Sequence, residues 1–232
     1  MPYFQHYSFD LWLTLIKSDP RFKPERAKYF HQHFNKADKS VDEIATIFRQ
    51  VDLMCNAVNE KSGKNIDADE MYLMVIHLIN GDRLDIDEVD YQQLHNDMEA
   101  LLFKYPSQLY SDVTFEALKT LKEKSGATFS LLSNTGYITG KTLRKVLALY
   151  QLDTFFDFQL YSDEAGMSKP NPEFFEVMLK NIDICNMGKD IPRSGILHVG
   201  DNPKNDVAAA EAMGLKAALI NSNQQTILSL VG

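Results

Sequence analysis

The sequence predicts an α/β fold in which a parallel sheet with helices on both faces is interrupted by a long helical insert. After about residue 110, short apolar runs alternate with helical patterns, as expected for strand–helix–strand units. Between residues 21 and 103, apolar residues recur at helical spacing and there is almost no strand signal. At 232 residues the chain is long enough for a core that carries an inserted module.

Each element follows from its local pattern. Strands are predicted at five short apolar runs, each followed by polar or small residues: 4–9, 128–132, 158–161, 196–199 and 217–220. Helices are predicted between the later strands at 114–123, 141–150, 172–179 and 206–213. Within the insert, apolar residues repeat at helical spacing over 41–54 and 71–79, with turn-forming residues at 62–65 and 80–82.

Turn-forming residues also mark the ends of the insert. Asp19 with Pro20, and Pro106 with Ser107, place boundaries near residues 17 and 108. The sequence therefore predicts a core domain formed by residues 1–16 and 109–232, with a helical domain formed by residues 17–108.

Charge and composition argue against several classes of partner. A formal net charge of -8 repels polyanions, so we expect no nucleic-acid partner. No run approaches the roughly 18 apolar residues of a membrane span, and the first residues lack a basic end followed by an apolar stretch. We therefore expect a soluble, cytoplasmic protein without a membrane partner. The two cysteines form no zinc-binding or redox cluster.

One basic patch lies at the start of the first insert helix. Its members are Arg21, Lys23, Arg26 and Lys28, interleaved with Phe22 and Tyr29. A solvated helix face is the ordinary interpretation, because surface charge at this density is common. Contact with an anionic substrate is the alternative.

Four segments carry residues suited to phosphate and metal chemistry, each at the end of a predicted strand or the start of the next helix. Asp10 follows the first strand, and ligands of parallel sheets bind at the carboxyl ends of strands. Ser133 and Asn134 follow the second, where a hydroxyl and an amide can hydrogen-bond a phosphoryl oxygen. Taken singly, such residues are more typical of turns and helix caps.

The other two segments add a cation and further acid. Lys169 precedes a helix that begins at Pro172, and its ammonium could neutralise both a carboxylate and an incoming anion. Asp201 and Asp206 follow an apolar strand. Their oxygens suit magnesium, which needs only one or two protein carboxylates. Taken singly, a solvated lysine and a turn-rich loop are the ordinary interpretations.

Together and in this order, the four segments closely resemble the motifs of the haloacid dehalogenase-like (HAD) superfamily. Those motifs are DxDxT, a serine or threonine after the second strand, a lysine, and an acidic GDxxxD-like segment. Here they appear as Asp10 to Thr14, Ser133, Lys169, and Asp201 with Asp206. The resemblance spans essentially the whole chain and implies a Rossmann-like core, and the helical insert resembles the superfamily's C1 cap.

The resemblance also implies an activity. Asp10 would be the nucleophile of a phosphate-ester hydrolase, forming an aspartyl-phosphate that water then hydrolyses. Ser133 and Asn134 would bind the phosphoryl group. Lys169 would hold both Asp10 and the phosphate electrostatically. The substrate would be a small phosphorylated metabolite.

A Mg²⁺ cofactor is implied as well. Asp10, the backbone carbonyl of Trp12 and Asp201 would hold the cation, which shields the negative charge of nucleophile and phosphate. Asp206 would be a further acidic partner, either a ligand through water or an orienting group.

The chain departs from the pattern two residues after the nucleophile, where the superfamily's phosphatases have a second aspartate and this chain has Trp12. That aspartate protonates the leaving oxygen and later activates water. An indole N–H does not exchange protons near neutral pH. Loss of one general acid/base costs roughly a hundred- to ten-thousandfold where the leaving group is poor. The sequence therefore predicts a weakened or specialised phosphatase.

Two alternatives stay open. Dehalogenases of the superfamily also lack the second aspartate and need neither a leaving-group acid nor a metal, so Trp12 favours them, whereas an intact Asp201 favours phosphate chemistry. A catalytically impaired module that binds a phosphate ligand or a protein is the other alternative, because Trp12 could have abolished turnover. The natural substrate and the oligomeric state do not follow from the sequence.

Overall fold

The structure is a computed structural model that describes residues 3–187 and 190–231. Strands in this described part are β1 (His6–Phe9), β2 (Ile16–Lys17), β3 (Gln108–Leu109), β4 (Thr128–Ser133), β5 (Phe158–Tyr161), β6 (Ile196–Gly200) and β7 (Lys216–Leu219). Five of them form a parallel sheet in the order β5-β4-β1-β6-β7. The predicted α/β class with a parallel sheet is confirmed.

The insert consists of helices, as its periodicity predicts. They are α1 (Phe22–His33), α2 (Val41–Ser62), α3 (Ala68–Asn80) and α4 (Tyr91–Lys104). Ser40 and Glu43 form a reciprocal capping box at the start of α2, which satisfies backbone N–H groups that a helix leaves unpaired. Gly63 ends α2 with a φ of 69°, a left-handed conformation that glycine adopts without strain. The apolar faces pack into one cluster that includes Phe30, Val51 and Val75.

The remaining helices cover the two faces of the main sheet. They are α5 (Thr114–Ser125), α6 (Gly140–Leu149), α7 (Ser162–Ala165), α8 (Pro172–Cys185) and α9 (Ala209–Ala212). Successive residues of a strand point to opposite faces, so Leu131 joins one hydrophobic cluster and Leu132 joins the other. All residues of β1 and β6 are buried, as expected for central strands of a sheet covered on both sides.

The segment after β6 differs from its prediction. Instead of one helix over 206–213, a π-helical turn at Pro203–Ala208 leads into the single turn of α9. The Asn202 carbonyl accepts from the backbone N–H groups of both Asp206 and Val207, which widens this turn. Such turns are frequent at functional sites.

The short antiparallel pair β2–β3 joins the insert to the core. Ile16 pairs with Leu109, and Lys17 pairs with Gln108. Two-residue strands are too short to show a period, so the sequence did not indicate them. Because the insert begins and ends at this pair, we propose the division predicted above, 1–16 with 109–232 and 17–108, as the domain boundaries.

Hydrogen bonds also connect the insert directly to the core. The Tyr137 hydroxyl, from the loop after β4, donates to the Phe48 carbonyl of α2 at 3.1 Å. Glu60, near the end of α2, accepts from Lys204 at 2.5 Å and from Asn205 at 3.0 Å. These contacts hold the helices against the edge of the sheet where the strands end. The described helices include no candidate for a bilayer-spanning segment.

Candidate active site

Three neighbouring strands bring the predicted residues to one edge of the sheet. Asp10 directly follows β1, Asp201 directly follows β6, and Ser133 is the last residue of β4. Because β1 lies between β4 and β6 and is parallel to both, the three carboxyl ends lie side by side. The Asp10 N–H donates to the Val199 carbonyl at 2.8 Å. This bond continues the β1–β6 pairing as far as the aspartate.

Lys169 lies between two carboxylates at the base of the site. Its Nζ donates to Asp10 Oδ1 at 2.8 Å and to Asp206 Oδ1 at 2.6 Å. Only 2% of Lys169, 7% of Asp10 and 2% of Asp206 are exposed. Buried charges persist where they are paired and hydrogen-bonded. Lys169 is therefore a buried counter-charge, not the solvated lysine that its motif alone would suggest.

The carboxylates of this cluster outnumber the ammonium. Burial raises the pKa of Asp10 to about 6, and Asp206 adds to that rise while Lys169 opposes it. Burial, together with the charge of Asp206, also raises the pKa of Asp201 to about 6. Burial acts against the charged form of Asp206 too, but Lys169 and His198 outweigh it and lower the pKa. Burial likewise disfavours the Lys169 ammonium, yet its two carboxylate partners raise its pKa overall.

The arrangement fits a hard divalent cation. Asp10, Asp201 and Asp206 each offer an oxygen, and these oxygens lie within 4.8 Å of one another. Magnesium prefers such oxygen ligands. Burial, together with the neighbouring carboxylates, raises the pKa of both Asp10 and Asp201, and a bound dication would favour their charged forms.

Further hydrogen bonds, from side chains and from the backbone, orient the carboxylates. Thr14 Oγ1 donates to Asp10 Oδ2 at 3.0 Å, and the Asn202 N–H donates to Asp206 Oδ2 at 2.9 Å. His198 lies within β6, with Nε2 3.3 Å from Asp206 Oδ1 and Nδ1 3.0 Å from the Ser8 hydroxyl. Sequence reasoning did not single out His198. The available signal was an ionisable residue inside an otherwise apolar strand.

The two residues predicted to bind the phosphoryl group differ in their surroundings. Ser133 is fully buried, and its hydroxyl donates to the Asn134 carbonyl at 3.1 Å. The Asn134 side chain pairs with the Lys169 backbone: Nδ2 donates to the Lys169 carbonyl at 2.9 Å, and Oδ1 accepts from the Lys169 N–H at 2.7 Å. Asn134 lines the open cavity above the cluster. Its amide therefore fixes the position of the Lys169 backbone.

Trp12 lies in the wall of the cavity that Asp10 also lines. It is half-buried, packs against the hydrophobic cluster of the core and lines the cavity. The next residue, Leu13, is about half exposed and has a φ of 58°, a conformation that non-glycine residues seldom adopt. Asn221 Nδ2 holds this turn by donating to the carbonyls of Leu13 and Thr14 at 2.8 and 3.0 Å. The turn places the Trp12 indole in the wall of the cavity.

A cavity of about 730 Å³ lies between the cluster and the insert. Asp10, Lys169 and Asp201 line it on the core side, and side chains of α1 and α2 line the opposite wall. Its volume is that of a site for a small molecule. The cluster and the insert helices therefore face the same space.

Comparison with known proteins identifies the family. The family model described as haloacid dehalogenase-like hydrolase matches residues 6–214. The chain belongs to the haloacid dehalogenase-like hydrolases. The resemblance of the four motifs to this superfamily is thereby confirmed.

Curated relatives from three organisms are named glyceraldehyde 3-phosphate phosphatase, and two of them show the extent of the match. The protein of Pyrococcus furiosus is 32% identical over 120 residues, which cover 47% of this chain and 47% of the relative. The protein of Methanothermobacter thermautotrophicus is 35% identical over 128 residues, which cover 55% of this chain and 49% of the relative. The chain thus spans about half the length of the curated relatives it matches.

Solved structures share the fold. The HAD hydrolase YfnB from Bacillus subtilis, bound to magnesium, has a TM-score of 0.69 at 17% identity, covering 96% of this chain and 91% of that chain. A 2-haloacid dehalogenase from Pseudomonas syringae has a TM-score of 0.62 at 20% identity, covering 97% and 89%. A magnesium-bound hydrolase and a dehalogenase thus share this fold. The fold alone therefore does not identify the reaction, which must be argued from the residues of the site.

Proposed function

We propose that the protein hydrolyses small phosphate monoesters in a Mg²⁺-dependent reaction, with Asp10 as covalent nucleophile. The observation that carries the proposal is the buried cluster in which Lys169 bridges Asp10 and Asp206 beside a third carboxylate, Asp201. Displacement of halide from carbon needs the nucleophile but not the additional acid. Relatives named as phosphatases support the same choice.

The residues of the cluster divide the work as follows. An Asp10 carboxylate oxygen attacks phosphorus while the bond to the leaving oxygen breaks, and water then attacks the aspartyl-phosphate, releasing phosphate and restoring Asp10. Lys169 orients the nucleophile and offsets charge that develops on the phosphoryl oxygens. Ser133 binds a phosphoryl oxygen once its buried hydroxyl turns from the Asn134 carbonyl toward the cavity, and Asn134 supports that binding by holding Lys169. Thr14 fixes the second oxygen of Asp10.

We propose three ligands for the cation. Asp10, Asp201 and the backbone carbonyl of Trp12 are the proposed ligands. Asp206 accepts hydrogen bonds from Lys169 and Asn202 and is almost fully buried, so we assign it the orienting role. When bound, Mg²⁺ shields the negative charge of nucleophile and phosphate.

Trp12 sets the range of substrates. Without a proton donor at this position, hydrolysis favours leaving groups that are already stable as anions, such as acyl or aryl phosphates. The same residue favours a second candidate, dehalogenation, because halide needs no proton to leave. Asp201 distinguishes the two, since only phosphate chemistry uses the cation that it would hold.

The test compares the two reactions in one protein. The purified chain is assayed with 4-nitrophenyl phosphate, acetyl phosphate and 2-chloropropionate, each with Mg²⁺ and with a chelator, and Asp10→Asn serves as the inactive control. We expect phosphate release that requires both Mg²⁺ and Asp10. Chloride release unaffected by the chelator, without phosphate release, would establish the dehalogenase. Binding of a phosphate mimic without turnover of any substrate would establish a binding module.

A further inference from the structure

The basic patch at the start of α1 divides into two pairs. Arg21 and Lys28 are exposed, and each pairs with an acidic neighbour on the chain, at 2.7 and 2.6 Å. Lys23 and Arg26 instead line the cavity above Asp10, and neither forms an ion pair within residues 3–187 and 190–231. A solvated helix face therefore describes Arg21 and Lys28. Lys23 is exposed toward the cavity, and Arg26 is buried, with only 6% of it exposed.

Aromatic rings enclose the Arg26 guanidinium. Its central carbon lies 4.0 Å from the ring centroid of Phe48, 4.3 Å from that of Tyr137 and 5.5 Å from that of Phe22. Arginine stacks on such faces while its N–H groups remain directed outward from the edge. The rings therefore hold the guanidinium in one plane and leave only its edge for hydrogen bonds.

Not every N–H donor of this guanidinium has a hydrogen-bond acceptor among the described residues. Arg26 Nε is buried and has no hydrogen-bond partner among the described residues. Burial raises the pKa of the neighbouring Tyr72 hydroxyl to about 12, and the charge of Arg26 opposes that rise. This neighbour is a neutral group and not a carboxylate. A buried cation without an anionic partner is costly, and an anion in the cavity would remove that cost.

The acidic residues on the same wall are stabilised by groups other than Arg26. Asp52 pairs with Arg49 at 3.1 Å, and Glu60 pairs with Lys204 at 2.5 Å. Asp42 also lines the cavity, in the first turn of α2, where the helix dipole stabilises a negative side chain.

We propose that Arg26, assisted by Lys23, binds a second anionic group of the substrate, a carboxylate or a second phosphoryl group. The first phosphoryl group then faces Asp10 and Lys169 across the same cavity. Arg26 lines the cavity, and its terminal nitrogens are the donors that reach the oxygens of such a group while Nε stays buried. This inference rests on the proposed phosphatase function and narrows its substrate to phosphate esters with two anionic groups.

Matched substrates test the proposal. The first pair, 4-carboxyphenyl phosphate and phenyl phosphate, differs only by a carboxylate and keeps the aryl leaving group that needs no proton donor. The second pair, 1,4-phenylene bisphosphate and 4-hydroxyphenyl phosphate, differs by a phosphoryl group. In the wild type, we expect kcat/KM about tenfold higher for the doubly anionic member of at least one pair, as for a charge-assisted hydrogen bond. The pair that shows the preference identifies the second group.

Variants locate the source of the preference. Arg26→Met should remove it, and Arg26→Lys should restore part of it. Lys23→Met, at an exposed position that tolerates change, should reduce it. Lys28→Met removes a charge from the same helix outside the cavity and should leave it unchanged. Circular dichroism checks folding. An equal loss for both members of a pair in Arg26→Met, with no selective effect of Lys23→Met, would show a structural role only and overturn the proposal.

A binding measurement separates this proposal from the proposed reaction. In Asp10→Asn, which cannot turn over, calorimetry should show tighter binding of 3-phosphoglycerate than of glycerol 1-phosphate, and Arg26→Met in that background should abolish the difference. Equal dissociation constants would overturn the second-anion site. If the wild type hydrolyses aryl phosphates without any preference within either pair, the reaction stands and the site is rejected. If no phosphate is hydrolysed, the reaction is rejected and the calorimetry alone decides the site.

Discussion

Replacement of Lys169 by methionine should strongly destabilise the fold. Methionine matches much of the side-chain length but carries no charge, so Asp10 and Asp206 would lose an ammonium that lies 2.8 and 2.6 Å from their oxygens. All three side chains are at least nine-tenths buried, so water from the cavity replaces the missing partner only in part. Removing one member of a buried ion pair costs about 3–5 kcal/mol. That is a large part of the stability of an ordinary domain.

Two comparison variants show whether the charge causes the loss. Lys169→Met/Asp206→Asn removes one of the two uncompensated carboxylates and should recover at least about 1 kcal/mol relative to the single variant. Lys204→Met breaks an exposed ion pair with Glu60 and should cost at most about 1 kcal/mol. The difference between Lys169 and Lys204 then measures the effect of burial.

The assay is urea unfolding followed by circular dichroism at constant pH, with and without Mg²⁺. We expect Mg²⁺ to reduce the loss in Lys169→Met, because a dication supplies part of the missing positive charge. A Lys169→Met variant no less stable than Lys204→Met would refute the assignment of Lys169 as the counter-charge of the cluster. A double variant less stable than the single one would also contradict it.

Three further predictions concern the acid position, the cation and pH. Trp12→Asp should raise kcat/KM for alkyl phosphates by roughly tenfold more than for aryl phosphates, because a carboxylic acid can protonate the leaving oxygen. Equal changes for both substrates, or efficient alkyl hydrolysis by the wild type, would show that the missing proton donor does not limit hydrolysis. Asp201→Ala should abolish Mg²⁺ binding in calorimetry, and an unchanged affinity would reject Asp201 as a ligand. Burial lowers the pKa of His6 from 6.5 to about 3, so its neutral form contributes stability that is present above pH 6.5 and lost as pH falls toward 3. His6→Gln keeps a hydrogen-bonding side chain for Thr128 and Ser130 without titrating. As pH falls over this range, the urea-unfolding free energy of His6→Gln should fall less steeply than that of the wild type, by up to about 1.4 kcal/mol per pH unit. Equal slopes for the two proteins would contradict the prediction.

The sequence predicted features that depend on local pattern. The strand at 158–161 was predicted with its observed bounds, because an apolar run bounded by polar residues has few other interpretations. Asp10 and Asp201 were placed beside each other because both follow strands of one parallel sheet. Their order in the chain then matched a known set of motifs, which no single residue could have established.

Features that depend on distant partners were not predictable in this way. Arg26 is buried because rings from residues 48 and 137 stack on it, and nothing within α1 indicates those partners. Asn134 holds the backbone of Lys169, which lies 35 residues further along the chain. Its amide was therefore assigned to phosphate binding and not to this support.

The position of β1 in the sheet has a consequence for the order of folding. Its side chains contact partners 122 residues away in β4 and 190 residues away in β6. During synthesis, β1 must therefore remain unpaired until most of the chain has left the ribosome. The helices of the insert depend on nearer contacts and are free to form first. We expect slow refolding of the sheet and, at high protein concentration, aggregation through an unpaired β1.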